Sequence, residues 1–132
     1  MTNTKIINFP EMINSHIVLY ENYFSAELSD KYFMFFKDKI NWKQESMMMY
    51  GKKMDFARLT AWYGMEGKPY TFSGITLQPD NWEELPILMD IKKEIELDIG
   101  TEFNSVLLNY YRNGKDSISW HSDNEKELGN NP

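Results

Sequence analysis

The chain has 132 residues, a net charge of −6 and no cysteine, with 42% apolar and 15% aromatic residues. This composition excludes a disordered chain and a fold that depends on disulfides. An isoelectric point near 4.9 argues against a protein that coats nucleic-acid duplexes, because such proteins are usually basic. No apolar run approaches ~18 residues, so the sequence predicts no membrane span, and its first ten residues lack the apolar core of a signal peptide. We expect a single domain over residues 1–132, located in the cytoplasm.

The N-terminal part of the chain predicts a strand followed by a helix. Residues 17–23 favour an early strand, and Ser25 is a typical N-cap residue. Apolar residues then recur at helical spacing, which predicts an amphipathic helix over residues 26–40. Further along, the sequence predicts a turn at Gly51 and a strand over residues 58–63. A loop over residues 64–69 and a short extended segment over 70–74 are predicted to follow.

A second helix is predicted within residues 82–99, where apolar residues again repeat with the helical period. Gly100 is a natural residue to end it. Because Pro86 cannot lie deep inside a helix without the loss of a hydrogen bond, we place the regular part from Leu85 onward. Residues 80–84 are predicted to form a separate turn.

The strongest hairpin signal in the chain is Asn113-Gly114. The apolar pattern changes to a period of two around it and predicts strands over residues 103–111 and 116–123. A loop of three residues from Arg112 to a left-handed Gly114, or another odd-length loop, places residues 109 and 121 on the same face of the hairpin. A two-residue turn separates them. We expect the odd-length loop.

The last predicted strand carries His121 and Asp123, which project from one face because side chains two residues apart on a strand point the same way. An imidazole beside a carboxylate suits a divalent transition metal, and two histidines with one carboxylate form the arrangement used for non-haem Fe(II). Asn109 and Tyr111 share a face of the neighbouring predicted strand in the same manner. The alternative is a surface strand with an ordinary polar face.

These residues belong to a longer pattern, Phe-Asn-x-x-Leu-x-Asn-x-Tyr-x-x-Gly-x-Asp-x-Ile-x-x-His-x-Asp-x-Glu, which runs from Phe103 to Glu125. An upstream block contains Arg58-Leu-Thr-Ala-Trp-Tyr-Gly and Tyr70-Thr-Phe-Ser-Gly-Ile-Thr, followed by Pro79 and Trp82. From about residue 40 to its end the chain resembles the AlkB family of 2-oxoglutarate- and Fe(II)-dependent dioxygenases, in particular the branch that repairs alkylated bases. The family core is a double-stranded β-helix, or jelly roll. The resemblance therefore implies an α+β fold with the N-terminal half of such a core and two flanking helices.

The resemblance also implies a role for each residue of the pattern. His121 and Asp123 would be two of three Fe(II) ligands, and Asn109 and Tyr111 would hydrogen-bond 2-oxoglutarate. The pocket for the damaged base would be lined by Tyr70, Phe72 and Ser73. Glu125 would lie near its polar edge. The aromatic walls suit stacking on a base, although Phe72 could equally be an ordinary core residue.

Two further features match parts of the family that hold nucleic acid. Arg58 matches an arginine that helps to hold the strand; the structural alternative is a cation on a surface strand. Met48, Met49 and Tyr50 occupy the position of a hairpin finger that wedges into the duplex, and two lysines follow it. An apolar tip with cations for phosphates fits that role, whereas consecutive methionines are otherwise typical core filler.

The chain also departs from the family pattern. Ala57 stands where members usually have proline, and Asn124 stands where many have a second acidic residue, which bears on substrate preference. The family's third iron ligand, a later histidine, finds no match, because the only histidines are His16 and His121. The arginine that pairs with the co-substrate in the family comes later still and finds no match either. We therefore expect a chain truncated at its C-terminal end, nearly inactive alone, with an incomplete barrel whose open edges favour self-association.

The leading functional hypothesis is oxidative demethylation of alkylated bases in DNA or RNA, a DNA-repair activity. By the resemblance, it uses Fe(II), 2-oxoglutarate and O2 and releases formaldehyde, succinate and CO2. One alternative is a non-catalytic nucleic-acid- or protein-binding remnant of this fold. Another is a structural remnant whose half-barrel is completed by a second copy.

Overall fold

A computed structural model describes residues 3–8, 16–72 and 74–123 of the chain, with the side chains of Tyr70 and Phe72 left out. The described residues form two α-helices and nine short strands, which confirms the α+β class. They fall into two compact units, Met1–Ile40 and Asn41–Pro132. The strands of the described residues form four small sheets of two or three strands each. The jelly-roll core and the single domain stay predictions.

The first unit contains one antiparallel strand pair and one helix. Strand β1 (Asn3–Ile7) pairs with β2 (Ile17–Glu21), and helix α1 spans Ala26–Lys39. The hydroxyl of Ser25 accepts a hydrogen bond from the backbone N–H of Leu28 at 3.2 Å, which satisfies one of the free donors at the start of the helix. The predicted strand, cap and helix are therefore confirmed, whereas β1 is an element that the sequence pattern did not reveal.

The second unit begins with a hairpin of strands β3 (Ser46–Met49) and β4 (Lys52–Asp55). Its two central residues, Tyr50 and Gly51, have φ angles of 51° and 74°. Positive φ at both positions is the signature of a type I′ turn, whose twist matches that of the flanking strands. Tyrosine is an unusual residue there, because a side chain at positive φ crowds the backbone. The turn expected at Gly51 is confirmed and is the tip of a regular hairpin.

A three-stranded sheet forms the centre of the second unit. Strand β5 (Leu59–Gly64) lies between β8 (Asp80–Asn81), which is parallel to it, and β9 (Ser105–Tyr110), which is antiparallel. All its residues except Leu59 are buried, as expected for a central strand of apolar and β-branched residues. Gly64 makes a close backbone approach, because a Cβ atom there would lie 2.7 Å from the carbonyl oxygen of Asn104.

One face of this sheet is covered by a second hairpin, β6 (Tyr70–Phe72) paired with β7 (Ile75–Leu77). Leu77 of β7 packs with Trp62 of β5 in a small core that Ile75 and Leu107 complete. The indole N–H of Trp62 donates to the carbonyl of Lys68 at 3.2 Å, which ties the intervening loop to the sheet.

The second predicted helix is confirmed, whereas the turn predicted over residues 80–84 is present only over 82–84, because Asp80–Asn81 form β8. A 3-10 turn over Trp82–Glu84 precedes helix α2 (Pro86–Ile99), and Leu85 separates the two. Pro86 occupies the first turn, where its missing N–H has no consequence. Gly100 ends the helix with a φ of 68°, the left-handed conformation that glycine adopts at little cost.

The predicted strand over residues 116–123 is wrong, because residues 111–123 contain no strand. Asp116 instead accepts hydrogen bonds from the backbone N–H of Arg112 at 2.9 Å and from its guanidinium at 2.7 and 3.1 Å. The next backbone N–H, that of Ser117, donates to the carbonyl of Ala57 at 2.9 Å. Side-chain bonds of this kind compete with strand pairing for the same backbone groups. Without a second strand the expected odd-length hairpin loop is also wrong, and Gly114 does not have the positive φ that its three-residue form requires.

No helix within the described residues is long and apolar enough to cross a membrane.

Candidate active site

The candidate site lies at one end of the β5–β9 ladder. Thr60 of β5 is paired in register with Asn109 of β9. The backbone N–H and C=O of Thr60 both bond to Lys43, at 3.0 and 2.8 Å, so Thr60 and Asn109 form a non-hydrogen-bonded pair, in which side chains stand close together. Tyr111 directly follows β9 and lies in no strand. That the Asn109 amide and the Tyr111 phenol share one face and bind 2-oxoglutarate stays a prediction.

Arg58 lies at the same end of the ladder, one residue before β5. Its Nε donates a hydrogen bond to Oδ1 of Asn109 at 3.0 Å, and its guanidinium carbon lies 4.9 Å from the centre of the Phe56 ring. Only 9% of Arg58 is exposed, so the alternative of a cation on a surface strand is wrong. The predicted contact of Arg58 with nucleic acid stays a prediction, and its burial leaves little of the guanidinium free for a phosphate.

The turn after β9 brings the chain back toward this end of the sheet. The ion pair of Arg112 with Asp116 holds the turn closed, and the bond from Ser117 to Ala57 anchors the following segment beside the residue that precedes Arg58. The hydrogen bonds from Arg112 lower the pKa of the Asp116 carboxyl below its ordinary value of 3.8, and the same contact raises the pKa of Arg112. Both side chains are therefore charged at neutral pH.

His121 and Asp123 follow Ser117 by four and six residues, which span at most ~14 and ~22 Å of chain. Nε2 of His121 lies 3.3 Å from Oδ1 of Asp123, and both side chains are more than half exposed. Nδ1 of His121 lies 2.8 Å from the carbonyl oxygen of Ser119. A carbonyl only accepts hydrogen bonds, so Nδ1 is the donor in this contact. The predicted proximity of the imidazole and the carboxylate is present.

The chemistry of this pair fits a divalent transition metal. Each donor atom can lie ~2.1 Å from a shared ion at the observed spacing of 3.3 Å. A metal-bound histidine also commonly donates its other ring N–H to a backbone carbonyl, which fixes the tautomer and the ring orientation; here Ser119 supplies that carbonyl. In the described residues no group of three or more histidine, cysteine, aspartate or glutamate side chains comes together.

The predicted finger is the most exposed part of the β3–β4 hairpin. Tyr50 is 97% exposed and Met48 is 69% exposed, so the alternative of core filler is wrong for Met48. Lys53 lies opposite Met48 in the ladder, and Lys52 lies opposite Met49. The hairpin thus carries an apolar tip with two ammonium groups just behind it.

The predicted base pocket falls mostly beyond what the structure describes. The backbone of Tyr70 and Phe72 forms β6, but their side chains, and all of Ser73 and Glu125, lie outside the described residues. Sequence reasoning missed two contacts: the bond between Arg58 and Asn109, and the clamp of Arg112 on Asp116. The second had a local signal, since an arginine and an aspartate four residues apart flank Asn113-Gly114, but the first joins residues that are distant in the chain.

Comparison with known proteins places this arrangement in a family. Residues 16–132 match the family model described as the 2OG-Fe(II) oxygenase superfamily. The chain is 40% identical over 119 residues to "Alpha-ketoglutarate-dependent dioxygenase alkB homolog 3" of Bos taurus, and likewise to that of Homo sapiens. Each alignment covers 89% of this chain and 40% of the relative.

A second group of relatives is also similar. Over 82 residues the chain is 42% identical to "DNA oxidative demethylase ALKBH2" of Bos taurus, which covers 62% of this chain and 29% of the relative. The chain therefore belongs to the 2OG-Fe(II) oxygenase superfamily and, within it, to the AlkB family of dioxygenases, whose cofactors are Fe(II) and 2-oxoglutarate. It spans about 40% of the length of the first of these relatives.

Proposed function

We propose that the protein that carries this chain is a 2-oxoglutarate- and Fe(II)-dependent dioxygenase that demethylates alkylated bases in DNA or RNA. The observation that carries the proposal is that the imidazole of His121 and the carboxylate of Asp123 lie side by side. His121 has its Nδ1–H on a backbone carbonyl and its Nε2 3.3 Å from Asp123. Two relatives have names that state dioxygenase or oxidative demethylase activity.

His121 and Asp123 would hold Fe(II) as two of its ligands. When bound, iron with 2-oxoglutarate and O2 supplies the oxidising power to hydroxylate a methyl group, which then leaves the base as formaldehyde while 2-oxoglutarate becomes succinate and CO2. Asn109 and Tyr111 would bind the co-substrate through the amide and the phenol. Ser119 accepts the Nδ1–H of His121, which orients the ring with Nε2 on the side of Asp123.

The nucleic-acid side of the proposal relies on the β3–β4 hairpin. An exposed tyrosine and methionine can enter a base step and take the place of the flipped nucleotide. Lys52 and Lys53 supply positive charge for the phosphates in a chain whose net charge is −6, and local cations of this kind can hold a strand although the whole protein is acidic. Tyr70, Phe72, Ser73 and Glu125 are proposed to form the base pocket.

The test is turnover by the protein expressed from its complete reading frame. We expect it to release succinate and formaldehyde from 2-oxoglutarate and a single-stranded oligonucleotide with methylated bases, in the presence of Fe(II) and O2. His121→Ala and Asp123→Ala are expected to abolish both products, with Asp90→Ala, on the exposed side of α2, as the control. Methylated DNA and RNA of the same sequence, assayed side by side, decide the preferred substrate. Absence of succinate in the wild-type protein under these conditions would reject catalysis.

The exposure of the hairpin tip favours a second function, that of a non-catalytic nucleic-acid-binding module. In that case the wild-type protein binds the methylated oligonucleotide without product release, and Tyr50→Ala weakens the binding. A cytoplasmic location and self-association through open strand edges stay predictions.

A further inference from the structure

The hydrogen bond between Arg58 and Asn109 fixes which way the asparagine amide faces. A guanidinium group only donates hydrogen bonds, so the amide atom 3.0 Å from Nε must be the acceptor Oδ1. The usual ambiguity between the oxygen and the nitrogen of an asparagine side chain is thereby removed. The NH2 group of Asn109, with its two donors, lies on the side of the amide away from Arg58.

Arg58 is well suited to hold its partner because it is itself held. It is 9% exposed, and its guanidinium lies over the ring of Phe56 at 4.9 Å, a contact that fixes the plane of the group. Asn109 is also confined from the other side, since Thr60 is its closely spaced cross-strand neighbour and is 1% exposed. Asn109 itself lies on the accessible end of the ladder.

We propose that Arg58 is a positioning residue for the co-substrate, which holds the Asn109 amide with its NH2 group turned toward 2-oxoglutarate. The inference rests on the proposed function, in which Asn109 binds that molecule. At neutral pH 2-oxoglutarate offers only acceptor atoms, two carboxylates and a keto oxygen. An amide in the reverse orientation presents Oδ1 to those atoms and repels them, so the affinity of the site depends on the amide orientation that Arg58 imposes.

This role predicts effects that differ from those of a phosphate-binding arginine. Arg58→Gln is expected to raise the KM for 2-oxoglutarate about tenfold, the size of effect typical for loss of a hydrogen bond to a charged group, with a small effect on kcat. The Kd for a methylated single-stranded oligonucleotide and its dependence on salt are expected to stay unchanged. Lys43→Gln is the matched control, because it removes a cation from the strand segment beside Thr60 without contact to Asn109, and neither constant should change.

The contrary pattern would overturn the proposal. An arginine that grips a phosphate contributes about one unit to the slope of log affinity against log salt concentration. If Arg58→Gln lowers that slope and weakens oligonucleotide binding while the KM for 2-oxoglutarate is unchanged, Arg58 acts on the nucleic acid and the inference is wrong.

Arg58→Lys covers the case in which the glutamine variant does not fold. Lysine keeps a donor for Oδ1 but not the planar group that stacks on Phe56. It is expected to recover part of the lost affinity for 2-oxoglutarate. If the lysine variant folds and its KM for 2-oxoglutarate equals that of the wild type, the planar guanidinium is not needed to hold the amide. The proposal that its fixed plane positions Asn109 is then wrong.

A measurement without turnover separates this inference from the proposed function. In an NMR spectrum the two side-chain N–H signals of Asn109 report the environment and rotation of its amide. They are expected to shift when 2-oxoglutarate is added to the wild-type protein and to lose that response in Arg58→Gln. If the wild-type protein shows this response but releases no succinate, the positioning role stands and only the proposed catalysis is wrong. An identical response in the wild type and Arg58→Gln disproves the positioning role.

Discussion

Arg112 and Asp116 form a closed clamp, in which one carboxylate receives the backbone N–H and two guanidinium N–H groups of the same arginine. The clamp turns the chain back after β9 and leads to the bond between Ser117 and Ala57. The segment that carries His121 thus begins from a fixed point, although it forms no strand. Charge on Asp116 is a condition for this geometry.

The clamp predicts a pH-dependent contribution to stability. The pKa of Asp116 is lowered below 3.8 in the folded chain by its bonds with Arg112, so the contribution is fully present above that pH and is lost as the pH falls through the folded-state pKa. Asp116→Asn should therefore lower the urea midpoint at pH 7, and the difference from the wild type should shrink at a pH well below 3.8. Asp90→Asn is the control, with no comparable loss at pH 7. An equal deficit of Asp116→Asn at both pH values would show that charge is not involved.

The tip of the finger combines exposure with backbone strain. A non-glycine residue in the left-handed region costs about 1 kcal/mol, and asparagine tolerates it better than tyrosine. Tyr50→Asn should therefore slow hydrogen exchange in the hairpin, yet weaken binding of a methylated oligonucleotide about tenfold through loss of base stacking. Tyr50→Phe keeps the ring and should retain the affinity. A Tyr50→Asn variant with unchanged affinity would remove the finger from the proposed function.

The close approach at Gly64 predicts a strongly destabilising substitution. A Cβ atom there would lie 2.7 Å from the carbonyl oxygen of Asn104 and 2.8 Å from Cβ of Ser105, so Gly64→Ala requires β5 and β9 to move apart. We expect a loss of about 3 kcal/mol in the free energy of unfolding, measured by chemical denaturation. Gly114→Ala is the matched control, since nothing lies within 4 Å of its Cβ position, and it should change stability by less than ~0.5 kcal/mol.

Thr60 carries a buried hydroxyl for which no hydrogen-bond partner is found in the described structure. An unsatisfied buried polar group is unfavourable by about 1–3 kcal/mol. Thr60→Val removes the hydroxyl and keeps the shape, so it should raise the free energy of unfolding by about 1 kcal/mol. Thr71→Val is the comparison, because the Thr71 hydroxyl lies 2.9 Å from that of Thr76 and its removal should lower stability. A loss of stability in Thr60→Val would indicate a hidden partner for the hydroxyl.

Much of the helical structure could be predicted from local sequence signals. Ser25 sets the start of α1, and Pro86 and Gly100 bracket α2, because each acts on the backbone of its own neighbourhood. Strand β5 was also evident from its run of apolar and β-branched residues. These elements are determined within a few residues of chain, and the structure confirms them.

The failures occurred where distant or side-chain contacts decide the outcome. Asn113-Gly114 is a strong hairpin signal, but the carboxylate of Asp116 and the carbonyl of Ala57 take the backbone donors that a second strand needs. The burial of Arg58 was likewise hidden, since its partner Asn109 is brought to it only by the β5–β9 register. In the candidate site, the sequence predicted the proximity of His121 and Asp123. It did not predict the bond of Arg58 to Asn109.

The order of the strands in the chain has a consequence for the order in which parts of the protein fold. The β3–β4 hairpin joins residues that are neighbours in the chain and can form in microseconds, whereas β5 and β9 meet only after the whole of α2 has been laid down between them, a slow closure for a pairing of such large sequence separation. A newly made or partly unfolded molecule therefore presents Tyr50 and its lysines before Asn109 has reached Arg58. If the proposed function holds, such a species would bind single strands through the hairpin before its candidate co-substrate site has formed.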